Sequence, residues 1–344
     1  MKKFSILLSL GLMLALAGCS GEAAEVVKVY NWGDYIDEST NRMFEEETGI
    51  KVIYEVFPTN EEMYAKVANG NAAYDVIIPS DYMIEKMINE DLLAKIDKTQ
   101  ISNYDLIDRE FIDLPYDPNN EYSVPYSWGT MGIVYNPTMI DGEIDQWADM
   151  WDPKYKNQIF MYDSERDSIM VALKMLGYSM NTRDLGELEE AKQALVEQKE
   201  LVLAYVGDEG KGKMVNGEAA MMLAWAGDAE IMRVDNADLE YIIPKEGTNY
   251  FVDAMVVPKN GENYDNALKY IDFMCRPDVA AINMEYIGYS TPISEARALL
   301  PDEMKNSEIA YPDLSELNLE MFNDPSDILE VYSRIWTEVK AASK

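Results

Sequence analysis

The sequence predicts an α/β protein of two lobes with a cleft between them. Three observations carry this. Residues 26–93 alternate strand-like and helix-like segments, and residues 158–243 repeat that mixture. Two β-rich runs, at 121–136 and 252–257, are placed to cross from one unit to the other and back. The chain has 344 residues, a length that usually means two domains, each with its own core.

Residues 26–32 alternate apolar and polar side chains and read as the first strand. Residues 37–47 carry capping residues, charges and spaced apolar positions, and Thr48-Gly49 stops that helix. Residues 51–57 form a second strand, and Asn60-Glu61-Glu62 opens a helix that ends near Gly70. Residues 74–79 are almost continuously apolar, the pattern of a buried parallel strand, and 82–93 form a third helix. This β-α-β-α-β-α order implies a parallel sheet with helices on both faces. In the second unit, 158–162, 202–206, 220–225 and 239–243 are strands, and 167–178 and 185–199 are helices. Gly210-Lys211-Gly212-Lys213 lacks the rest of a phosphate loop and reads as a loop at a helix start. Helices at 264–275 and 277–286 follow the return crossing, and one at 327–342 ends the chain. The expected division is 27–129 with 253–300 as lobe one, and 130–252 with 301–344 as lobe two.

Lys2-Lys3, an apolar run over 4–17 and Gly18-Cys19 read as a secretory signal over 1–18. The run is shorter than the roughly 20 residues of a membrane span. Leu16-Ala17-Gly18-Cys19 resembles a lipobox, which implies cleavage before Cys19 and acylation of its sulfur, including palmitate. Residues 19–26 would then be a lipidated tether, and several acyl chains anchor stably where one does not. The other cysteine, Cys275, falls in an apolar helical stretch and reads as a buried inert thiol.

The formal charge is −34, so nucleic acid is a poor partner. A cationic ligand would be concentrated near such a surface. There is no histidine, which removes Ser-His-Asp, Cys-His and His-metal sites together. No metal site, cofactor or catalytic group is expected.

What remains is a set of aromatic residues beside acids or hydroxyls: Trp32-Gly33-Asp34-Tyr35, Pro79-Ser80-Asp81-Tyr82, Trp225-Ala226-Gly227-Asp228 and Phe251-Val252-Asp253. Each lies at a strand end or crossing, where ligands bind in open α/β sheets. Brought together, they make a box of ring faces with carboxylates at its corners, suited to an elongated organic cation. Asp253 lies in an apolar strand, where an unpaired carboxylate is costly, so it calls for a cation, either a ligand or a Lys or Arg of the chain. Asp167 could equally serve its helix N-terminus.

Tyr30-Asn31-Trp32, Thr48-Gly49-Ile50-Lys51-Val52, Ala73-Tyr74-Asp75-Val76 with Pro79-Ser80, Tyr122-Ser123-Val124-Pro125-Tyr126, Pro244-Lys245-Glu246-Gly247 and Ile287-Gly288-Tyr289 resemble the bacterial polyamine-binding proteins of spermidine/putrescine transporters. The resemblance runs from about residue 27 to the C-terminus. It implies a type II periplasmic-binding-protein-like fold that closes like a hinge, acting as a monomer that hands a polyamine to the permease subunits of an ABC transporter. It implies ligand contacts from Trp32, Asp34, Tyr35, Ser80, Tyr82, Asp167, Trp225, Asp228, Phe251, Asp253 and Tyr289. Ser164 and Phe322 stand where a spermidine-type member has an acid and a glutamine, which tilts the expectation toward putrescine. Two other readings stay open: the same fold binding a sugar, amino acid or metal, and a carboxylate-based surface hydrolase.

Overall fold

The computed structural model describes residues 25–343 other than residue 71. The signal segment and Cys19 lie outside the described residues. Among those described, no helix is long and apolar enough to cross a membrane.

The first unit opens with β1 (Val26–Trp32), α1 (Glu38–Thr48), β2 (Lys51–Phe57), α2 (Asn60–Ala68), β3 (Val76–Ile77) and α3 (Asp81–Asn89). Strands β1 and β2 have the predicted bounds, and they pair in parallel, as β1 does with β3. Helix α1 starts where the Asp37 carboxylate accepts from the Ser39 amide, and it stops at Gly49, whose φ of 75° is the left-handed C-cap glycine supplies most cheaply. Strand β3 is shorter than the apolar run around it, because only Val76 and Ile77 find ladder partners; the rest of the run is buried without being paired as strand.

The predicted outward crossing is one strand, β4 (Ser123–Tyr135). Then come β5 (Ile159–Tyr162), α4 (Glu165–Met175), α5 (Leu185–Gln198), β6 (Val202–Val206), α6 (Glu209–Val215), β7 (Met221–Trp225), α7 (Ala226–Asp235) and β8 (Glu240–Ile242). The glycine-lysine stretch at 210–213 is thus inside α6 and not a loop. Strand β9 (Thr248–Val256) is the return crossing. It begins earlier than 252, so Phe251 and Asp253 lie two apart within the strand and share one face. Helices α8 (Tyr264–Met274), α9 (Pro277–Ile287), α10 (Ser294–Leu299) and α11 (Asp302–Lys305), strand β10 (Leu319–Glu320) and α12 (Leu329–Ala341) complete the chain.

The sheet order is β2-β1-β3-β9-β4-β7-β5-β6, and β4 is the shared member. Its residues 123–130 run antiparallel to β9, while Met131–Tyr135 pair with β7 and Ile133–Tyr135 also pair with β8. One half of the sheet is therefore built on β1–β3 and the other on β5–β7, which gives the two-lobed α/β fold its cleft at the junction. A large core fills both halves. A second cluster locks α12 onto α4 and α5 through Ile169, Leu173, Leu188, Leu195, Tyr332, Ile335 and Val339. Lys199 Nζ donates to the Val339 carbonyl at 3.0 Å and that of Ala342 at 2.6 Å, satisfying the C-terminal end of α12.

Candidate functional site

All eleven residues named from the sequence line a single cleft of about 890 Å³ between the two halves of the sheet. They come from the ends of β1 and β7, the start of α3 and α4, the middle of β9 and the loop after α9. The reason is topological. Parallel strands present their carboxyl ends on one edge, and β9 passes that edge.

Asp253 is 4 % exposed. One carboxylate oxygen accepts from the Tyr35 hydroxyl at 2.6 Å, and that hydroxyl also contacts Ser127 Oγ at 2.8 Å. The other oxygen, Oδ1, is buried and has no hydrogen-bond partner among the described residues. The intramolecular ion pair that the sequence left open is not what holds Asp253; its partner is a phenol. Burial pushes its pKa up to about 6, against the pull of the Tyr35 and Ser80 hydroxyls and the charge of Arg166. Behind it, Asp81 is 1 % exposed, accepting from the Tyr82 amide at 2.6 Å and the Val252 amide at 3.3 Å. Burial lifts Asp81 to about 8 against the Tyr82 amide, and the nearby Asp253 adds to the lift.

The rings form one wall. Tyr162 stacks on Trp225 at 6.5 Å between centroids. Trp225 meets Phe251 edge to face at 5.0 Å, Phe251 meets Tyr289 at 5.9 Å, and Tyr289 meets Tyr35 at 5.4 Å. Two glycines make room for it. A Cβ at Gly227 would lie 2.3 Å from the Tyr289 ring, and one at Gly129 would lie 2.9 Å from Phe251. Trp32, also in the cleft, packs on Phe57 at 4.7 Å, and its buried indole Nε1 has no hydrogen-bond partner among the described residues.

The remaining carboxylates are placed unequally. Asp228 accepts from the Tyr162 hydroxyl at 3.1 Å and from Lys211 Nζ at 3.3 Å. Burial raises its pKa, and Lys211 works against the rise. Asp167, in the first turn of α4, is buried, with Oδ1 3.8 Å from Arg166 Nε. Asp34 is on the exposed rim with a left-handed φ of 51°. The Ser80 hydroxyl accepts from Asn60 Nδ2 at 3.1 Å, and the Tyr82 hydroxyl donates to Glu61 Oε1 at 2.9 Å. Ser164 caps α4 by accepting from the Asp167 amide at 3.4 Å, and Phe322 faces Tyr82 at 6.4 Å.

Sequence reasoning missed Asp81, Tyr162, Arg166 and Lys211 as cleft residues. Asp81 was within a quoted motif but masked by its neighbours, and the two cations carry no local signature. Among the described residues, no group of three or more His, Cys, Asp or Glu side chains is arranged to hold a metal. The cleft combines a wall of rings, which can cover a slender apolar chain, with buried carboxylates, which favour cationic groups.

Residues 41–312 match the family of bacterial extracellular solute-binding proteins. The chain belongs to that family. This solute-binding protein is 38 % identical, over 99 % of both chains, to the spermidine/putrescine-binding periplasmic protein of Salmonella typhimurium. It is 30 % identical, over 99 % of both, to a putrescine-binding periplasmic protein of Pseudomonas aeruginosa. Among solved structures, the substrate-binding protein of a spermidine/putrescine ABC transporter from Streptococcus pneumoniae superposes with a TM-score of 0.84 at 41 % identity, covering 93 % of this chain and all of that one.

Proposed function

We propose that this solute-binding protein captures a polyamine, putrescine or spermidine, between its lobes and delivers it unchanged to the permease of an ABC transporter. The observation that carries this is Asp253: a buried carboxylate with one oxygen unpartnered, facing a cleft walled by Trp225, Phe251 and Tyr289. An ammonium placed there gains about 4 kcal/mol of attraction at 4 Å and an effective dielectric near 20, against about 1 in water. Each desolvated ring contact adds roughly 0.5–2 kcal/mol. The named relatives handle the same ligands.

In this reading Asp253, Asp228, Asp34 and Asp167 meet ammonium groups, and Trp32, Tyr35, Tyr82, Trp225, Phe251 and Tyr289 cover the methylenes, with Ser80 beside Asp253. Lobe one comprises 27–129 and 253–300, and lobe two 130–252 and 301–344. The mature protein acts as a monomer, tethered to the membrane through acylated Cys19.

Titration of the protein without its signal and lipid, followed by tryptophan fluorescence and calorimetry, tests the reading with putrescine, cadaverine, spermidine and spermine. Saturable micromolar or tighter binding is expected. A folded, ligand-stripped sample that responds to none of them would remove it. Mass spectrometry of the recovered amine separates capture from turnover.

A further inference from the structure

Two of the carboxylates given to the ligand's ammonium groups are in different states. Asp253 keeps one oxygen without a partner among the described residues. Both oxygens of Asp228 are taken: Oδ2 accepts from the Tyr162 hydroxyl at 3.1 Å, and Oδ1 from Lys211 Nζ at 3.3 Å. Lys211 belongs to α6 and lines the same cleft. Its ammonium stands where an ammonium of the ligand would go. Burial works against its charge, but Asp228 and Asp208 outweigh burial and raise its pKa, so Lys211 is a full cation at neutral pH.

Two ammonium groups on one buried carboxylate repel each other. The Asp228 side chain is only 15 % exposed, so little water screens the second. Lys211 has somewhere to go. Its Nζ lies 3.6 Å from Asp208 Oδ1, one turn back at the N-cap of α6, and the Asp208 side chain is 97 % exposed. A lysine ammonium sits on a flexible stem with rotatable donors, and this side chain is already 33 % exposed. The end as a whole still attracts a cation: one lysine between Asp228 and Asp208 leaves it one charge negative, and an arriving ammonium brings it to balance. The exchange is uneven, because an exposed ion pair holds less than a buried one. The ligand's hold on Asp228 is reduced by what Lys211 gives up there.

We propose that Lys211 is an affinity-setting residue, a resident ammonium that holds Asp228 in the empty cleft and withdraws toward Asp208 when the ligand's ammonium takes Asp228. This rests on the polyamine reading above and deepens it. The lysine spares the empty cleft a bare buried carboxylate. It also makes the ligand displace a cation of the chain, and by returning to Asp228 it favours release.

A crystal structure of the putrescine complex tests the exchange on the unaltered protein. A ligand nitrogen on Asp228, with Lys211 Nζ withdrawn from it, is expected; Lys211 still on Asp228 beside bound putrescine would overturn the proposal. Calorimetry reads the effect on affinity. Lys211→Met removes the competitor and keeps an apolar stem, and putrescine affinity is expected to rise about fivefold or more. Lys211→Arg restores a cation and is expected to bring affinity back to the parent value or below it. Asp208→Asn takes away the retreat, and is expected to weaken binding about threefold in the parent but not in the Lys211→Met background. That comparison separates displacement from charge alone, since the plain loss of a negative charge would weaken both alike. Unchanged or weaker putrescine binding by a folded Lys211→Met protein would overturn the proposal, as would an equal loss from Asp208→Asn in both backgrounds. If putrescine binds and these outcomes fail, only the role of Lys211 is lost; if no amine binds at all, the polyamine reading falls and takes this proposal with it.

Discussion

The Tyr35 hydroxyl donates to Asp253 at 2.6 Å between residues 218 positions apart in the chain. It ties the loop after β1 to the middle of β9, and it favours the ionised form of a cleft carboxylate whose other oxygen is buried without a partner. Tyr35→Phe removes the donor and leaves the ring. A hydrogen bond to a charged group is worth about 1.5–3 kcal/mol, so putrescine affinity at pH 7 is expected to fall about tenfold. Part of the loss should return at pH 8.5, where Asp253 ionises without help. Calorimetry at both pH values reads this; equal losses at both would mean the hydroxyl acts by position alone.

Asp253→Asn separates binding from stability. The amide cannot neutralise an ammonium, and affinity is expected to drop at least tenfold. The variant also removes a buried carboxylate that is short of partners, a burial that costs free energy. Its ligand-free melting temperature should therefore equal or exceed that of the parent, as a thermal melt at pH 7.5 will show.

The raised pKa values give the pH dependence its sign. Asp253 is held near 6 and Asp81 near 8, both by burial. Groups that bind protons more tightly folded than unfolded stabilise the protein below their unfolded pKa, and lose that contribution as pH rises through the folded value. Ligand-free stability should therefore fall between pH 6 and pH 9. Binding runs the other way. An ammonium on Asp253 favours the ionised form, so affinity should weaken from pH 7.5 to 5, with proton release on binding near pH 6. Calorimetry in two buffers of different ionisation enthalpy measures that proton.

Gly227→Ala tests the ring wall. The new Cβ would lie 2.3 Å from the Tyr289 ring, so Tyr289 must leave its contacts with Phe251 and Tyr35. Overpacking of this kind costs about 1–3 kcal/mol, and binding should weaken with it. Adding Tyr289→Leu is expected to restore the melting temperature but not the affinity.

Cys275 is buried, and burial pushes its thiol pKa well up. A thiol reagent should label it only at the rate of unfolding, and addition of putrescine should slow that rate. Fast labelling of the native protein would contradict the buried placement.

The strands and helices were legible where the code is local. Alternation fixed β1, and Asp37 and Gly49 marked both ends of α1. Helix α7 was missed because β7 runs straight into it: Trp225-Ala226-Gly227-Asp228 has no turn between them and no side-chain cap. Much of the aromatic and acidic lining was readable because it stands beside strand ends or in a crossing strand, while Asp167 and Tyr289 were named through the family resemblance alone. Arg166 and Lys211 were not, since what makes them cleft residues is contact with Glu61, Tyr82 and Asp228, set by the meeting of distant segments. Asp167 and Asp228 were expected to await a ligand, yet each has a cation of its own chain beside it.

The shared strand β4 has a consequence for how the molecule comes into being. Its partner β9 is supplied only after the whole second unit has been made, so the β1–β3 half lacks its antiparallel neighbour until late in synthesis. Pairings this far apart in the chain form slowly, because a long loop must close before any contact rewards it. Neither half can be released as a contiguous fragment with its sheet complete. The nascent chain thus stays unfinished for most of its synthesis, and the cleft is among the last features to exist.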